Sequence, residues 1–68
     1  MSSKKVEKQN YWMVYLHDGY DWKLVTRDRS EHDCFIKYFG LSSGIDKGCA
    51  MRLVSPSGEV VREKVRHR

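Results

Sequence analysis

Two turn signals set most of what this chain can fold into. Asp18-Gly19 and Pro56-Ser57-Gly58 each interrupt a run of strand-forming residues, and each supplies a glycine where a hairpin needs positive φ. Before the first lies Tyr11-Trp12-Met13-Val14-Tyr15-Leu16-His17, and after it Trp22-Lys23-Leu24-Val25-Thr26-Arg27; both are rich in aromatic and β-branched residues and read as strands. Residues 49–54 and 60–66 flank the second turn in the same way.

Between the hairpins, Ser30-Glu31-His32-Asp33 reads as a helix start. Ser30 can cap, and early acids suit the helix dipole. Asp33 stands where a capping box has Glu. The helix is expected to run through Phe39, with Gly40 as its C′ residue and Phe35, Phe39 and Ile36 turned to the sheet. Residues 41–48 read as a loop, being rich in Ser, Gly and Asp. The expected fold is therefore α+β, in the order β-β-α-β-β: a four-stranded antiparallel sheet with one helix packed on one face.

Turn length decides which side chains share a face, because a slip of one residue flips a whole strand. A two-residue turn at Asp18-Gly19 would set Trp12, Val14 and Leu16 beside Lys23 and Val25. A three-residue loop, Asp18-Gly19-Tyr20, pairs His17 with Asp21 and sets them beside Trp22 and Leu24; a five-residue loop has the same parity. This second arrangement makes one apolar face and is the expected one. For the other hairpin, a three-residue loop pairs Ser55 with Glu59, Leu53 with Val61 and Met51 with Glu63.

Two sets of residues follow. Trp12, Val14, Leu16, Trp22, Leu24, Cys49, Met51, Leu53, Val61 and Val65 are expected to face the helix. The open face is expected to carry Lys23, Arg27, Arg52, Arg62, Lys64 and Arg66, with Tyr11, Met13, Tyr15, His17, Val25, Ala50, Val54 and Val60 among them. Basic groups neutralise phosphates and tyrosine rings stack on unpaired bases, so this face points to nucleic acid or a nucleic-acid-handling complex. A solvated sheet face carries long charged side chains without any partner, which is the plain alternative. The apolar residues among the cations favour a protein partner instead: an acidic protein surface, or a second copy in a homodimer. A small regulatory or inhibitor protein of phage or mobile-element type fits that reading. Tyr11, Met13, Tyr15, Lys23, Arg27, Arg52, Arg62, Lys64 and Arg66 are the candidate binding residues.

Composition limits the rest. The chain has 68 residues and a net charge of +4, enough for a single domain over residues 11–66 behind a flexible basic tail at 1–10. A chain this short buries about 60% of its unfolded surface, so its stability is slim. No apolar run is long enough for a membrane span, and no secretory h-region opens the sequence, so a cytoplasmic protein is expected. Cys34 and Cys49 are then expected to be reduced and to serve as small core residues. Neighbouring His17-Asp18 and His32-Asp33 do not face each other on a strand or helix. Nothing brings Cys34 to a histidine. No Cys-x-x-Cys, His-x-x-x-His or phosphate-loop spacing is present. No catalysis, metal or cofactor is expected.

Overall fold

The computed structural model describes residues 11–67. The tail expected over residues 1–10 lies outside them. Five elements follow one another: β1 (Trp12–His17), β2 (Trp22–Asp28), α1 (Glu31–Ser42), β3 (Ala50–Val54) and β4 (Val60–Val65). The strands make one antiparallel sheet in the order β2-β1-β3-β4, so each hairpin gives one central and one edge strand. Helix α1 packs across β1, β2 and β3 on one side. The fold is α+β, and the other side of the sheet is open.

The core lies where β1 and β3 pair under the helix. Val14 and Leu53 are cross-strand partners and fully buried. Met51, Cys34, Tyr38 and Ile45 close around them, with Trp12, Leu16, Phe35 and Cys49 at the margin. Cys34 and Cys49 are both free thiols, as core residues of this kind should be.

Helix α1 starts as its sequence suggests. The Ser30 hydroxyl accepts the Asp33 N–H at 3.3 Å. The Ser30 N–H is taken by the Asp28 carboxylate at 3.1 Å, so a residue before the helix completes the cap in place of Asp33. Its end and its phase differ from expectation. The helix runs through Gly40 to Ser42, and the Ser42 and Ser43 hydroxyls bond the carbonyls of Phe39 and Gly40. The buried row is Cys34, Tyr38 and Ser42, while Phe39 and Ile36 are more than half exposed. Small Cys34 and Ser42 on either side of Tyr38 let the helix approach the sheet closely, and this leaves Phe35 and Phe39 on its flank.

The first hairpin closes with a four-residue loop, 18–21, and not the expected three-residue one. Asp18 builds it. One carboxylate oxygen accepts the N–H groups of Tyr20 and Asp21 at 2.9 and 3.0 Å, and the other holds Lys23 Nζ at 3.0 Å. Gly19 supplies a φ of 101°. His17 consequently pairs with Trp22, Leu16 with Lys23 and Tyr15 with Leu24. Val25 is then an extra residue, a bulge, beyond which Thr26 lies opposite Val14 and Arg27 opposite Met13.

The second hairpin forms the expected loop. Gly58 has a φ of 93°, and the Ser55 N–H meets the Glu59 carbonyl at 2.8 Å. Val54 pairs with Val60, but Val61 is then extra, and Leu53 pairs with Arg62, Arg52 with Glu63 and Met51 with Lys64. Both bulges lie in edge strands, and the central β1–β3 ladder is regular.

The loop carboxylates make stability depend on acid. The N–H groups of Asp21 and then Tyr20 hold the Asp18 carboxyl well below the usual range, and the Ser30 N–H and then the Lys37 ammonium lower Asp28. A carboxylate lowered in the folded state stabilises the fold above its unfolded pKa, near 3.8, and that support is lost as pH falls through the folded value. The urea midpoint is therefore expected to hold from neutral down to about pH 4 and to drop below it. In an Asp18→Asn/Asp28→Asn double variant the acid drop should be shallower. An unchanged acid profile in that variant would remove these two groups as its cause.

Candidate functional site

The four-residue loop and the two bulges decide what the open face presents. From β1 it shows Met13, Tyr15 and His17, with Tyr11 just before them. From β2 it shows Trp22 and Leu24, and beyond the bulge Arg27. From β3 come Ala50, Arg52 and Val54, and from β4 come Val60, Glu63 and Val65.

Four of the nine expected binding residues are elsewhere. Lys23 stands beside Leu16 on the helix side and is ion-paired with Asp18, because the loop has an even number of residues. The bulge at Val61 sends Arg62 and Lys64 to the helix side, opposite Leu53 and Met51. The Arg62 guanidinium sits 5.3 Å from the Phe35 ring centroid. Arg66 bonds the Cys49 carbonyl through its N–H, and its guanidinium bonds the Ile45 carbonyl at 3.0 Å. Val25 is also on the helix side, lining a hollow with Leu16, Leu41 and Met51. Tyr11, Met13, Tyr15, Arg27 and Arg52 do share the open face. Of the cations expected there, only Arg27 and Arg52 remain.

What replaces the lost charge is aromatic and apolar. Trp22 and Leu24, expected in the core, are 38% and 48% exposed on this face. The Trp22 indole is held between two neighbours. Arg52 lies 4.2 Å from its centroid, and the His17 ring meets it edge-on at 5.0 Å. Arg52 also donates from Nε to Glu63 Oε2 at 3.0 Å, so its charge is already matched. Tyr15 turns its hydroxyl onto the Met13 sulfur at 3.4 Å. At the far end Arg27 sits 4.6 Å from the Tyr11 ring, and Arg29 Nη2 donates to the Tyr11 hydroxyl at 3.4 Å. That bond, with the Arg29 charge, lowers the Tyr11 pKa.

The face is not flat. Tyr15, Trp22, Arg52, Val54, Gly58 and Val60 surround a hollow of about 270 Å³. A second, wider one of about 480 Å³ lies between His17, Trp22, Ala50, Glu63 and Val65. Trp22 lines both, so the indole is a ridge between two depressions. Sequence reasoning missed it because a tryptophan among alternating apolar residues is ordinarily assigned to the core. The available signal was Asp18, whose side chain can bond two following N–H groups and lengthen the turn.

The other chemistry is sparse. Cys34 is fully buried, and burial, then the Asp28 charge, pushes its thiol pKa up, away from the reactive thiolate. His17 Nδ1 accepts the Gly19 N–H at 3.2 Å. Among the described residues no three His, Cys, Asp or Glu side chains gather as a metal site, and no helix is long and apolar enough to cross a membrane. No protein family, curated protein or solved structure matches the chain.

Proposed function

We propose that this chain is a non-enzymatic binding module, a small regulatory or inhibitor protein, that docks its open sheet face on a larger protein. The observation that carries this reading is the Trp22 ridge, fixed by Arg52 and His17 between two hollows. A pre-positioned aromatic beside an arginine is the composition of an interface hot spot. Nucleic acid is the weaker reading. Phosphate binding draws on several free cations, and among the described residues this face has three that are all engaged, Arg27 and Arg29 against the Tyr11 ring and Arg52 ion-paired with Glu63.

The test uses the immobilised full chain in source-cell extract, with and without nuclease, beside a Trp22→Ala variant. One protein should be retained in fixed stoichiometry, and nuclease should not release it. Trp22→Ala should weaken binding by about 2 kcal/mol, roughly 30-fold in Kd, without changing the circular dichroism. Release by nuclease, or full retention by Trp22→Ala, would sink the proposal. A homodimer in sedimentation that Trp22→Ala dissociates would assign the face to a second copy and sink it as well.

A further inference from the structure

Three of the four cations missing from the open face, Arg62, Lys64 and Arg66, are gathered at a different place. β4 is an edge strand, and its outward N–H and C=O groups meet no strand among the described residues. An uncovered edge of this kind is a template for one more strand. Past the bulge, Arg62 and Lys64 project on the helix side, and Arg66 continues the row opposite Cys49. Alternate residues of a strand are about 7 Å apart, so Arg62 and Lys64 form the free teeth of a cationic comb along the edge, while the Arg66 guanidinium next in the row is held on the Ile45 carbonyl. Arg62 and Lys64 are exposed, and among the described residues neither joins an ion pair. On the other side of the same strand stand Glu63, already matched by Arg52, and half-exposed Val65.

The comb selects the occupant. In an antiparallel pairing, opposed residues lie on the same face of the sheet. A second copy of β4 would therefore set Arg62 against Lys64, or either of them against itself, in the registers centred on residues 62 to 64. Like charges directly opposite destabilise a ladder. Residues 1–10 fit no better, since Lys4, Lys5 and Lys8 outnumber Glu7. A segment with acids at alternate positions matches the comb.

We propose that the outer edge of β4 takes an extended acidic segment of another protein as a fifth strand. Its acidic residues lie opposite Arg62 and Lys64, and its intervening hydroxyl or apolar residues lie beside Glu63 and Val65. Main-chain bonds supply the affinity, and the charge row supplies the register and the choice of partner. Arg62 and Lys64 lie on the opposite side of the sheet from Trp22, and the two surfaces meet at Glu63 and Val65, which line the wider hollow.

The probe is a short fluorescent peptide alternating glutamate and threonine, titrated into the full chain. Binding should protect β4 amides from hydrogen exchange. A peptide with lysine for glutamate should not bind, nor should a peptide of equal charge broken by prolines. Arg62→Glu/Lys64→Glu should weaken binding roughly tenfold or more, while Trp22→Ala leaves it unchanged. Both changed cations are exposed, and circular dichroism verifies that the variant folds. Equal binding by the proline-broken peptide, or no added protection in β4, would overturn the proposal. So would tighter binding of a single-stranded oligonucleotide of the same charge, which would assign the comb to a polyanion.

Discussion

Tyr38→Ala is expected to cost about 3 kcal/mol and to leave much of the chain unfolded at room temperature, whereas Phe39→Ala costs about 1. The two aromatics are neighbours on one helix, and only their phase on it separates them. Tyr38 is 4% exposed in the core, while Phe39 is 53% exposed and makes edge-on contacts with Phe35 and Tyr38. Truncating Tyr38 removes the one large side chain between Cys34 and Ser42, and neither small neighbour can fill the space. A domain of this length has roughly 3–5 kcal/mol in total, so the loss takes most of it. Urea titrations followed by circular dichroism measure both variants. If Phe39→Ala proved the more damaging, the helix would be facing the sheet with Phe35 and Phe39.

Leu53→Ala should be comparably severe, at about 3 kcal/mol, with Arg52→Ala next to it within about 1. Leu53 is fully buried on central strand β3, against equally buried Val14. A void there lies between the sheet and helix α1, beneath Cys34 and Tyr38, on two strands whose spacing the β1–β3 ladder fixes, so it collapses poorly. Arg52 points the other way, and its truncation removes an exposed ion pair and the support under Trp22. The two variants thus separate stability from docking: Leu53→Ala should lower the urea midpoint, and Arg52→Ala should chiefly weaken partner binding. A similar midpoint for both would show that β3 does not have one buried and one open side.

The strands, the helix start and the second loop were legible because each depends on local chemistry. Ser30 has an N–H three residues ahead to accept, and Gly58 suits one loop with one pairing. The faces of β2 and β4 were not legible, for a different reason. Apolar alternation around Trp22 and Leu24 favours an odd-numbered loop, but three hydrogen-bond donors converging on Asp18 outweigh it. Valine is at home in a regular strand and in a bulge alike, so neither Val25 nor Val61 announces the extra residue. Each error left its strand intact and inverted part of it. Five of the nine candidate residues therefore stayed together, and Lys23, Arg62, Lys64 and Arg66 changed sides. The helix phase was missed because aromatic spacing competes with close packing, and Phe35 with Phe39 looked as good a row as Cys34 with Tyr38.

The bulges also determine how the chain tolerates changes in its own length. A protein lacking Val61 would still have Val60 opposite Val54 and Arg62 opposite Leu53, with every remaining side chain of β4 on its present side. A protein lacking Val25 would likewise keep Leu24 opposite Tyr15 and Thr26 opposite Val14. Losing Lys64 instead would carry Val65 to the helix side and Arg66 to the open face. The outer strands thus each hold one residue that can be spared without re-sorting the surface, and deletions in this lineage should be tolerated at those two valines before anywhere else along the edges.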